Sequence, residues 1–507
     1  MRLRRLLLLL WLLLPPCAHA HIGSLNVIYE SHAPPVPVRV IIRPPGVVPG
    51  LATIDVRVLT NGVKRVTALP VHWRAGVDGS PPPDVAKPVD GDPNLYHAEL
   101  WLMARGAYNV QVEVETTTGS AKFIVPVNSL ATTFLPMSGV LSGILIALGV
   151  LLFTLAVTVV TAGVRESVLE PGTEPSSLRR WLGRAAGVGA VAALALALAG
   201  GRAWWNAEDR DYRNNKMHQP VECDVKVRIE DGQRIARLTV LTNESRASWP
   251  GLVPDHGKLM HVFMMREPQL DVLTHLHPVR RSHRLFEVAL PPLPAGNYRL
   301  YADVTHETGL AQTLTATTTV PELVGATRTA DGMIADADDS WFVGVPTNVA
   351  AKKFESDLGD GRVMKWDGAQ IPVVGREASL RFTIHEADGS LSKLDAYMGM
   401  LGHAAIRRDD GAVFTHLHPA GSVSIAAQQV FQIRAGEKPP KRITPEMMEQ
   451  LCQPPNANLP QQPLMFPYEF PKPGRYRIWV QAKIGNVVRT GVFDTEVREA
   501  NLKAASN

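Results

Sequence analysis

Cysteine is almost missing from this sequence, with three among 507 residues. Cys17 lies in an apolar N-terminal segment, which leaves Cys223 and Cys452 as the single pair that can form. One disulfide is compatible with an oxidising compartment, but so few cysteines exclude a disulfide framework. The fold must therefore be stabilised by other means, chiefly by a hydrophobic core.

Strong charge and the common catalytic motifs are also missing. The net charge of +4 over 507 residues gives no electrostatic footprint for nucleic acid, so no nucleic-acid partner is expected. No Ser-His-Asp set, glycine-rich phosphate loop or paired-carboxylate motif stands out, which removes support for hydrolase and nucleotide chemistry. We therefore expect a binding protein and not an enzyme.

The N-terminus has the pattern of an export signal. Residues 1–20 carry a basic start and an apolar run too short to span a bilayer, and they end in the small-x-small pattern at Ala18 and Ala20. This predicts a signal peptide over 1–20, with His21 as the first residue of the mature chain.

Two further apolar stretches predict a transmembrane hairpin. We expect helices over 135–164 and 185–204, because both stretches are long enough to span and contain no Asp, Glu, His or Lys. The loop between them, 165–184, carries Arg165, Arg179, Arg180 and Arg184. The positive-inside rule places that loop in the cytoplasm, so both flanking parts of the chain are predicted to face the periplasm from the bacterial inner membrane.

The exported parts have the pattern of β-structure. A Gly-Xaa-Tyr phrase followed by alternating residues occurs three times, starting at Gly106, Gly296 and Gly474. A glycine turn followed by a strand with an inward tyrosine is typical of a late strand of an immunoglobulin-like sandwich. The predicted fold is mainly β: three immunoglobulin-like β-sandwich domains plus the two-helix transmembrane hairpin. The domains are predicted at 21–133, 216–320 and 340–500, the last with an inserted loop over 420–465.

Histidine is the residue that stands out, with sixteen in clusters. A single histidine followed by His-Xaa-His-Pro occurs in both the second and the third predicted domain. Thirteen residues separate the first two histidines in one copy and twelve in the other. The residues are His261, His275 and His277 in the first copy, and His403, His416 and His418 in the second.

This pattern suits a metal site. On a strand, residues i and i+2 share a face, and a hairpin can bring the third imidazole beside them. Three neutral imidazoles suit copper or zinc, and a thioether from Met260 or Met400 favours Cu(I). We predict a copper ion, with zinc as the alternative. The competing interpretation is a structural histidine cluster in a periplasmic interaction or assembly module that binds no metal.

The predicted mature N-terminus offers a second candidate ligand. The free amine and the imidazole of His21 form a chelate suited to Cu(II). In beginning with histidine, the mature chain resembles periplasmic copper-resistance carriers.

Residues 255–313 resemble the YtkA-like and cupredoxin-like domains found beside bacterial copper and heavy-metal handling systems. The resemblance rests on the histidine pattern, the Gly296-Xaa-Tyr298 phrase and the Tyr301-Ala-Asp303 segment. It implies a periplasmic β-sandwich with metal contact. Residues 394–493 look like a divergent copy.

The two copies differ at the helper positions. In the third domain Gly402 replaces Met260, and Ile484 stands where the second domain has His306. We therefore expect Met260 or His306 to help the second domain's site, and that site to be the better one. Together the patterns predict a membrane-anchored periplasmic metal-binding protein, with copper as the metal, in metal homeostasis or delivery. Its expected partners are the inner membrane, the metal ion and a periplasmic or membrane protein.

The topology yields the first testable prediction. Reporter fusions placed after Val164 should show cytoplasmic activity, and fusions after Trp205 should show periplasmic activity, because the arginine-rich loop stays inside. Paired alkaline phosphatase and green fluorescent protein fusions measure this directly. A cytoplasmic signal from fusions within 216–500 would contradict every periplasmic assignment.

Overall fold

The computed structural model describes residues 26–241, 249–323, 336–344, 354–368, 371–435 and 462–500, with Thr444 and Met447. The predicted signal peptide, His21 and Cys452 lie outside these residues. The protein is mainly β, with 47% of residues in strands and 19% helical. It divides into two compact units, residues 131–218 and the remainder of the chain.

The smaller unit is a pair of helices, α1 (Gly139–Glu166) and α2 (Ser177–Asp211), followed by one π turn, Tyr212–Lys216. Both are long and apolar enough to cross a membrane, which supports the membrane hairpin in its coarse form. Helix α1 begins later than the predicted residue 135 and ends slightly beyond 164, while α2 extends beyond 185–204 at both ends. The connecting loop is therefore shorter than expected.

Small residues allow the two helices to approach each other. Gly183 and Gly187 of α2 are buried, and a Cβ at Gly187 would lie 2.6 Å from the hydroxyl of Thr161 on α1. Glycine at a helix crossing permits close backbone packing in an apolar medium, where van der Waals contact drives association. Both helices begin at serine caps: Ser138 accepts a hydrogen bond from the amide of Leu141, and Ser176 from that of Arg179.

The N-terminal region, residues 26–130, consists of two sheets that share one apolar core. Strands such as Gly50–Val58 alternate buried and partly exposed residues, because successive side chains point to opposite faces. One sheet has the order β1-β2-β3-β7-β6 and the other β5-β4-β8-β9. The strands are β1 (Val27–Ser31), β2 (Val38–Arg43), β3 (Gly50–Val58), β4 (Val63–His72), β5 (Asp84–Val85), β6 (Lys87–Val89), β7 (Asp92–Leu102), β8 (Gly106–Thr116) and β9 (Ser120–Ser129).

The middle region, residues 219–344, has one long sheet that folds around its own core. Its order is β15-β16-β11-β10-β18-β17-β13-β14-β19, with β12 paired to β17. The strands are β10 (Glu222–Glu230), β11 (Gln233–Leu241), β12 (Leu252–Val253), β13 (His261–Arg266), β14 (Val272–Leu276), β15 (Val279–Arg280), β16 (Leu285–Ala289), β17 (Gly296–His306), β18 (Ala311–Val320) and β19 (Ser340–Val343).

The C-terminal region, residues 354–500, has two four-stranded sheets around a shared core. Their orders are β20-β21-β22-β25 and β24-β23-β26-β27. The elements are β20 (Glu355–Asp357), β21 (Val363–Asp367), β22 (Glu377–His385), β23 (Gly402–Arg408), β24 (Phe414–Leu417), α3 (Ile425–Arg434), β25 (Leu464–Glu469), β26 (Gly474–Ile484) and β27 (Val487–Val497).

Two boundaries differ from the sequence prediction. Ser340–Val343 was expected to begin the third domain, but it is β19 and pairs with β14 of the middle region. The predicted loop 420–465 contains helix α3 and the start of β25. In both cases a long-range contact decides the structure: β19 finds an open sheet edge, and α3 buries Ala426 and Val430 against Val253.

The three Gly-Xaa-Tyr phrases begin three equivalent strands, β8, β17 and β26. Gly106, Gly296 and Gly474 have φ angles of 125°, 146° and 126°, a region that favours glycine because it has no Cβ. Each tyrosine is buried, and its hydroxyl bonds to the backbone four residues earlier. The repeated phrase therefore encodes a repeated local structure.

The N-terminal region holds the loop that follows β24. The backbone amide of Glu30 donates to the carbonyl of Ala420 at 2.8 Å, and the amide of Ser422 donates to the carbonyl of Ile28 at 2.9 Å. A Cβ at Gly421, where φ is 112°, would overlap the carbonyl oxygen of Ile28. Strand β1 thus lies directly against this loop.

Replacing Gly421 with alanine should weaken that contact. Gly421→Ala must adopt an unfavourable φ and also displace β1, so we expect a melting temperature clearly below that of Gly389→Ala. Gly389 is the matched control because it has a φ of 83° and open space around its Cβ position. The Gly389→Ala substitution should cost about 1–2 kcal/mol of stability, from the unfavourable φ alone. Equal melting temperatures for the two variants would show that the β1 contact is unimportant.

Candidate metal centre

The two histidine repeats face each other across the contact between the middle and C-terminal regions. Strands β13 and β17 place His261 opposite Asp303, and β23 and β26 place His403 opposite Gln481. Asp303 and Gln481 are each seven residues after the glycine that begins their strand. The two halves are therefore built on the same register.

Aromatic side chains fill the contact beside the histidines. The rings of Tyr301 and Phe414 stack at 4.0 Å across the two regions, and Phe263 stacks on His275 at 4.3 Å. Trp479 is fully buried in the same cluster. The guanidinium of Arg407 donates a hydrogen bond to the hydroxyl of Tyr301 at 3.0 Å. This packing fixes the sheets that carry the histidines.

Seven imidazoles gather at one end of this contact. The centroids of neighbouring rings are 4.5 to 6.1 Å apart, and all seven side chains are buried. Two groups of three have their nitrogen atoms within 4.8 Å of one another. The first group is His261, His275 and His277, and the second is His256, His403 and His418.

In the first group, two nitrogen lone pairs point at each other. Nε2 of His261 lies 3.0 Å from the carbonyl oxygen of Asp255, so this nitrogen carries the hydrogen and Nδ1 does not. Nδ1 of His261 lies 3.1 Å from Nε2 of His275.

The tautomer of His275 follows from the orientation of the Gln481 amide. Its Nδ1 lies 3.1 Å from the amide oxygen of Gln481, whose amide nitrogen donates to Ser340 at 2.9 Å. Nδ1 of His275 therefore carries the hydrogen, and Nε2 is a lone pair. Two neutral imidazoles thus face each other without a hydrogen between them, an arrangement that attracts a cation.

His277 has a free nitrogen held in position by a carboxylate. Its Nδ1 donates to Asp339 at 2.9 Å, and its backbone amide donates to the same oxygen at 2.8 Å. Among the described residues Nε2 of His277 is buried without a partner. A carboxylate that orients an imidazole and raises its basicity is a common second layer around metal ions.

The second group joins the two regions. His256 lies in the turn before β13, and its Nε2 is 3.3 Å from Nε2 of His418. Nδ1 of His418 donates to the carbonyl of Val423 at 3.2 Å, which leaves Nε2 as a lone pair. Neither nitrogen of His403 has a hydrogen-bond partner in the described part of the chain.

His416 lies between the two groups. Its ring is 5.7 Å from that of His261 and 5.3 Å from that of His403. Its Nδ1 is 3.5 Å from Asp303, and its Nε2 is buried without a partner among the described residues. His416 thus offers a seventh lone pair.

Burial favours the neutral form of most of these imidazoles. The pKa of His261, His275, His403 and His416 is held well below its usual value, first by loss of solvent and then by neighbouring histidines. Burial also raises the pKa of the Asp303 carboxyl to about 7. Neutral imidazole is the form that binds metal.

Carboxylates surround the cluster. Asp339 contacts His277 and Asp303 contacts His416, while Asp255 lies 3.3 Å from Nε2 of His256. These groups can offset the charge of a bound cation, because a buried charge is tolerated when it is paired.

The structure does not bring every predicted ligand to the cluster. Met260 lies in the hydrophobic core of the middle region. His306 contacts Trp249 at 4.7 Å and bonds to Gln312 at 2.5 Å. His306 belongs to neither histidine group. Met400 is buried in the turn after Tyr397.

His256 is the residue that the sequence pattern missed. It lies in a turn and has a φ of 51°. The equivalent residue in the C-terminal region is Met398, which has a φ of 50°. Each lies five residues before the first histidine of its repeat. Because only one copy has histidine there, a search for matched pairs passes over it.

The unpartnered nitrogens predict an unusual effect on stability. With chelator present, His403→Leu should raise the melting temperature or leave it unchanged, because leucine removes two buried polar atoms that lack partners, at about 1–3 kcal/mol each. His306→Leu is the control and should lower it, because it breaks existing hydrogen bonds. Strong destabilisation by His403→Leu would mean that His403 has a structural role.

The similarity to solved structures is too weak to assign a fold to this chain. A bacterial ice-binding adhesin is 6% identical, with 89% of this chain and 92% of that chain covered and a TM-score of 0.14. A tetra-tandem repeat of a large adhesion protein is 8% identical, with 89% and 96% covered and a TM-score of 0.16. A Bacteroides ovatus mixed-linkage glucan utilisation protein is 10% identical, with 89% and 64% covered and a TM-score of 0.11.

No curated protein matches the chain. One family model does, and it is described as a domain of unknown function (DUF8832). It matches residues 221–322 and 356–499. The matched segments include the seven clustered histidines, so the chain is similar to this family over the residues that form the candidate centre.

Proposed function

We propose that this protein binds a metal ion, copper in the first place and zinc as the alternative, at His261, His275 and His277. The observation that carries the proposal is the pair of lone pairs on His261 and His275, which face each other across 3.1 Å. Two nitrogen ligands of a tetrahedral ion with bonds of about 2.0–2.1 Å lie roughly 3.4 Å apart. The observed separation is close to that value.

A metal ion accounts for this arrangement better than a proton does. With the hydrogens on Nε2 of His261 and Nδ1 of His275, a further proton between the two facing nitrogens would make a charged imidazole, and burial opposes that charge. A purely structural histidine would have its polar atoms satisfied, as buried polar groups generally are. The unpartnered Nε2 of His277 supports a ligand role and weighs against the metal-free interaction module.

The ligand atoms determine which metal ions the site prefers. Imidazole suits both copper and zinc, and the affinity of nitrogen sites for divalent ions is highest for copper. With Met260 in the hydrophobic core, the thioether argument for Cu(I) loses its support, so we propose Cu(II) or Zn(II) at this site. The role of His21 stays a prediction.

The wider role follows from the membrane helices and the arginine-rich loop. We propose that the helices α1 and α2 anchor the chain in the bacterial inner membrane, with the β regions in the periplasm, and that the protein serves metal homeostasis or delivery to a periplasmic or membrane partner. The similarity to YtkA-like and cupredoxin-like domains supports this proposal, in which the protein binds and does not catalyse.

The immunoglobulin-like fold of the three β regions is part of the same proposal. Tyr108, Tyr298 and Tyr476 each have a hydroxyl bonded to the backbone four residues earlier. A tyrosine that bonds back to the upstream backbone is a hallmark of immunoglobulin-like sandwiches.

The test is metal content and melting on one sample. The full chain, purified in detergent at neutral pH, should contain copper or zinc, and chelator should lower its melting temperature. The double variant His275→Gln with His277→Gln should bind less metal than wild type and show a smaller chelator effect, because two of the three imidazole donors of this site are removed.

The matched control is His306→Gln, a buried histidine outside both groups. It should keep the metal, whatever its own melting temperature. Wild type without bound metal and without a chelator effect, even after incubation with copper or zinc, would falsify the proposal. Loss of metal from the control as well would mean that the binding is not specific to this group.

A further inference from the structure

We propose that His256, His403 and His418 hold a second metal ion beside the first, so that the cluster is a two-ion centre built across the middle and C-terminal regions. This inference rests on the proposed function for the first ion. It goes further because the second group uses other residues, and one of them, His256, comes from a different region than its two neighbours.

The ligand atoms of the second group lie within 4.8 Å of one another, near enough to bind one ion. Nε2 of His256 and Nε2 of His418 are 3.3 Å apart, close to the roughly 3.4 Å expected for two nitrogens on a tetrahedral ion. The hydrogen of His418 is fixed on Nδ1 by the carbonyl of Val423. Its lone pair therefore points toward His256.

His403 gives the strongest indication that an ion binds to this group. It is buried, and both of its nitrogens lack a partner among the described residues. Each orphaned polar atom costs about 1–3 kcal/mol, and nothing in the described packing offsets that cost. Coordination by one nitrogen would remove part of it.

Seven imidazoles exceed the needs of one ion. Zinc in proteins is almost always four-coordinate in structural sites, and the two groups share no residue. The rings of the two groups still lie close, with His275 and His403 at 5.7 Å and His256 and His261 at 6.1 Å. Two ions would therefore be neighbours, with His416 available to either.

The carboxylates make two neighbouring cations acceptable. Asp339 lies on the first group, Asp255 on the second, and Asp303 on His416 between them. Up to three negative charges at the edge of the cluster reduce the repulsion between the ions. The second ion would also link the two regions, because its ligands come from both.

The experiment counts copper and tests whether the ions are coupled. The full chain in detergent, stripped with chelator and titrated with Cu(II) at neutral pH, should bind two ions per chain by elemental analysis. Its electron paramagnetic resonance intensity should fall below that of two isolated Cu(II) ions, because neighbouring ions couple magnetically.

Two double variants separate the sites. His256→Gln with His403→Gln should bind one ion, and so should His275→Gln with His277→Gln. Each should show the full, uncoupled signal of a single Cu(II). The control His306→Gln should bind two coupled ions. If a double variant does not fold, the titration and signal of the wild type still decide the question.

Each other outcome has a definite meaning. One ion per chain in wild type, lost in both double variants, would show a single shared site and overturn the two-ion centre while leaving the proposed function intact. Two ions with full, uncoupled intensity would place the second ion elsewhere and overturn it as well. No bound copper at all would instead contradict the proposed function.

Discussion

The structure depends on how two β regions pack their histidine-bearing sheets face to face. That packing removes seven imidazoles from water and leaves five of their nitrogen atoms without partners in the described part of the chain. Such atoms cost about 1–3 kcal/mol each, against a total stability of roughly 5–15 kcal/mol for an ordinary domain. In the proposed function, a cation that accepts the lone pairs would turn this cost into binding free energy.

In each half of the contact, a strand of one region supplies a polar partner for a histidine of the other region. Gln481 of the C-terminal region bonds to His275 of the middle region at 3.1 Å, while Asp303 of the middle region faces His416 of the C-terminal region at 3.5 Å. These two partners hold the same register position in their strands. One is a neutral amide and the other an acid, so the two halves keep the same geometry but differ in charge.

The sequence predicted the local structure well because local rules govern it. Each Gly-Xaa-Tyr phrase needs a positive φ and a buried ring, and both requirements are visible in the residues themselves. The histidine repeat was equally visible. His256 was not, because the two histidines beside it come from another region and its counterpart is Met398. The position of Met260 in the core also depends on which face of the long sheet covers that core, and spacing alone does not decide this.

The second group of histidines depends on contacts far from its own strands. The loop from His418 to Ser424 is held by β1 of the N-terminal region through Ile28 and Glu30. The start of α3 is held at Asp255, whose carboxylate accepts from the amide of Ala426 at 3.2 Å. Asp255 therefore joins three features: the turn that carries His256, the helix that follows the loop, and the carbonyl that fixes His261. If the cluster holds an ion as proposed, the ion could enter or leave only when some of these contacts open. The N-terminal region and α3 would then control its exchange.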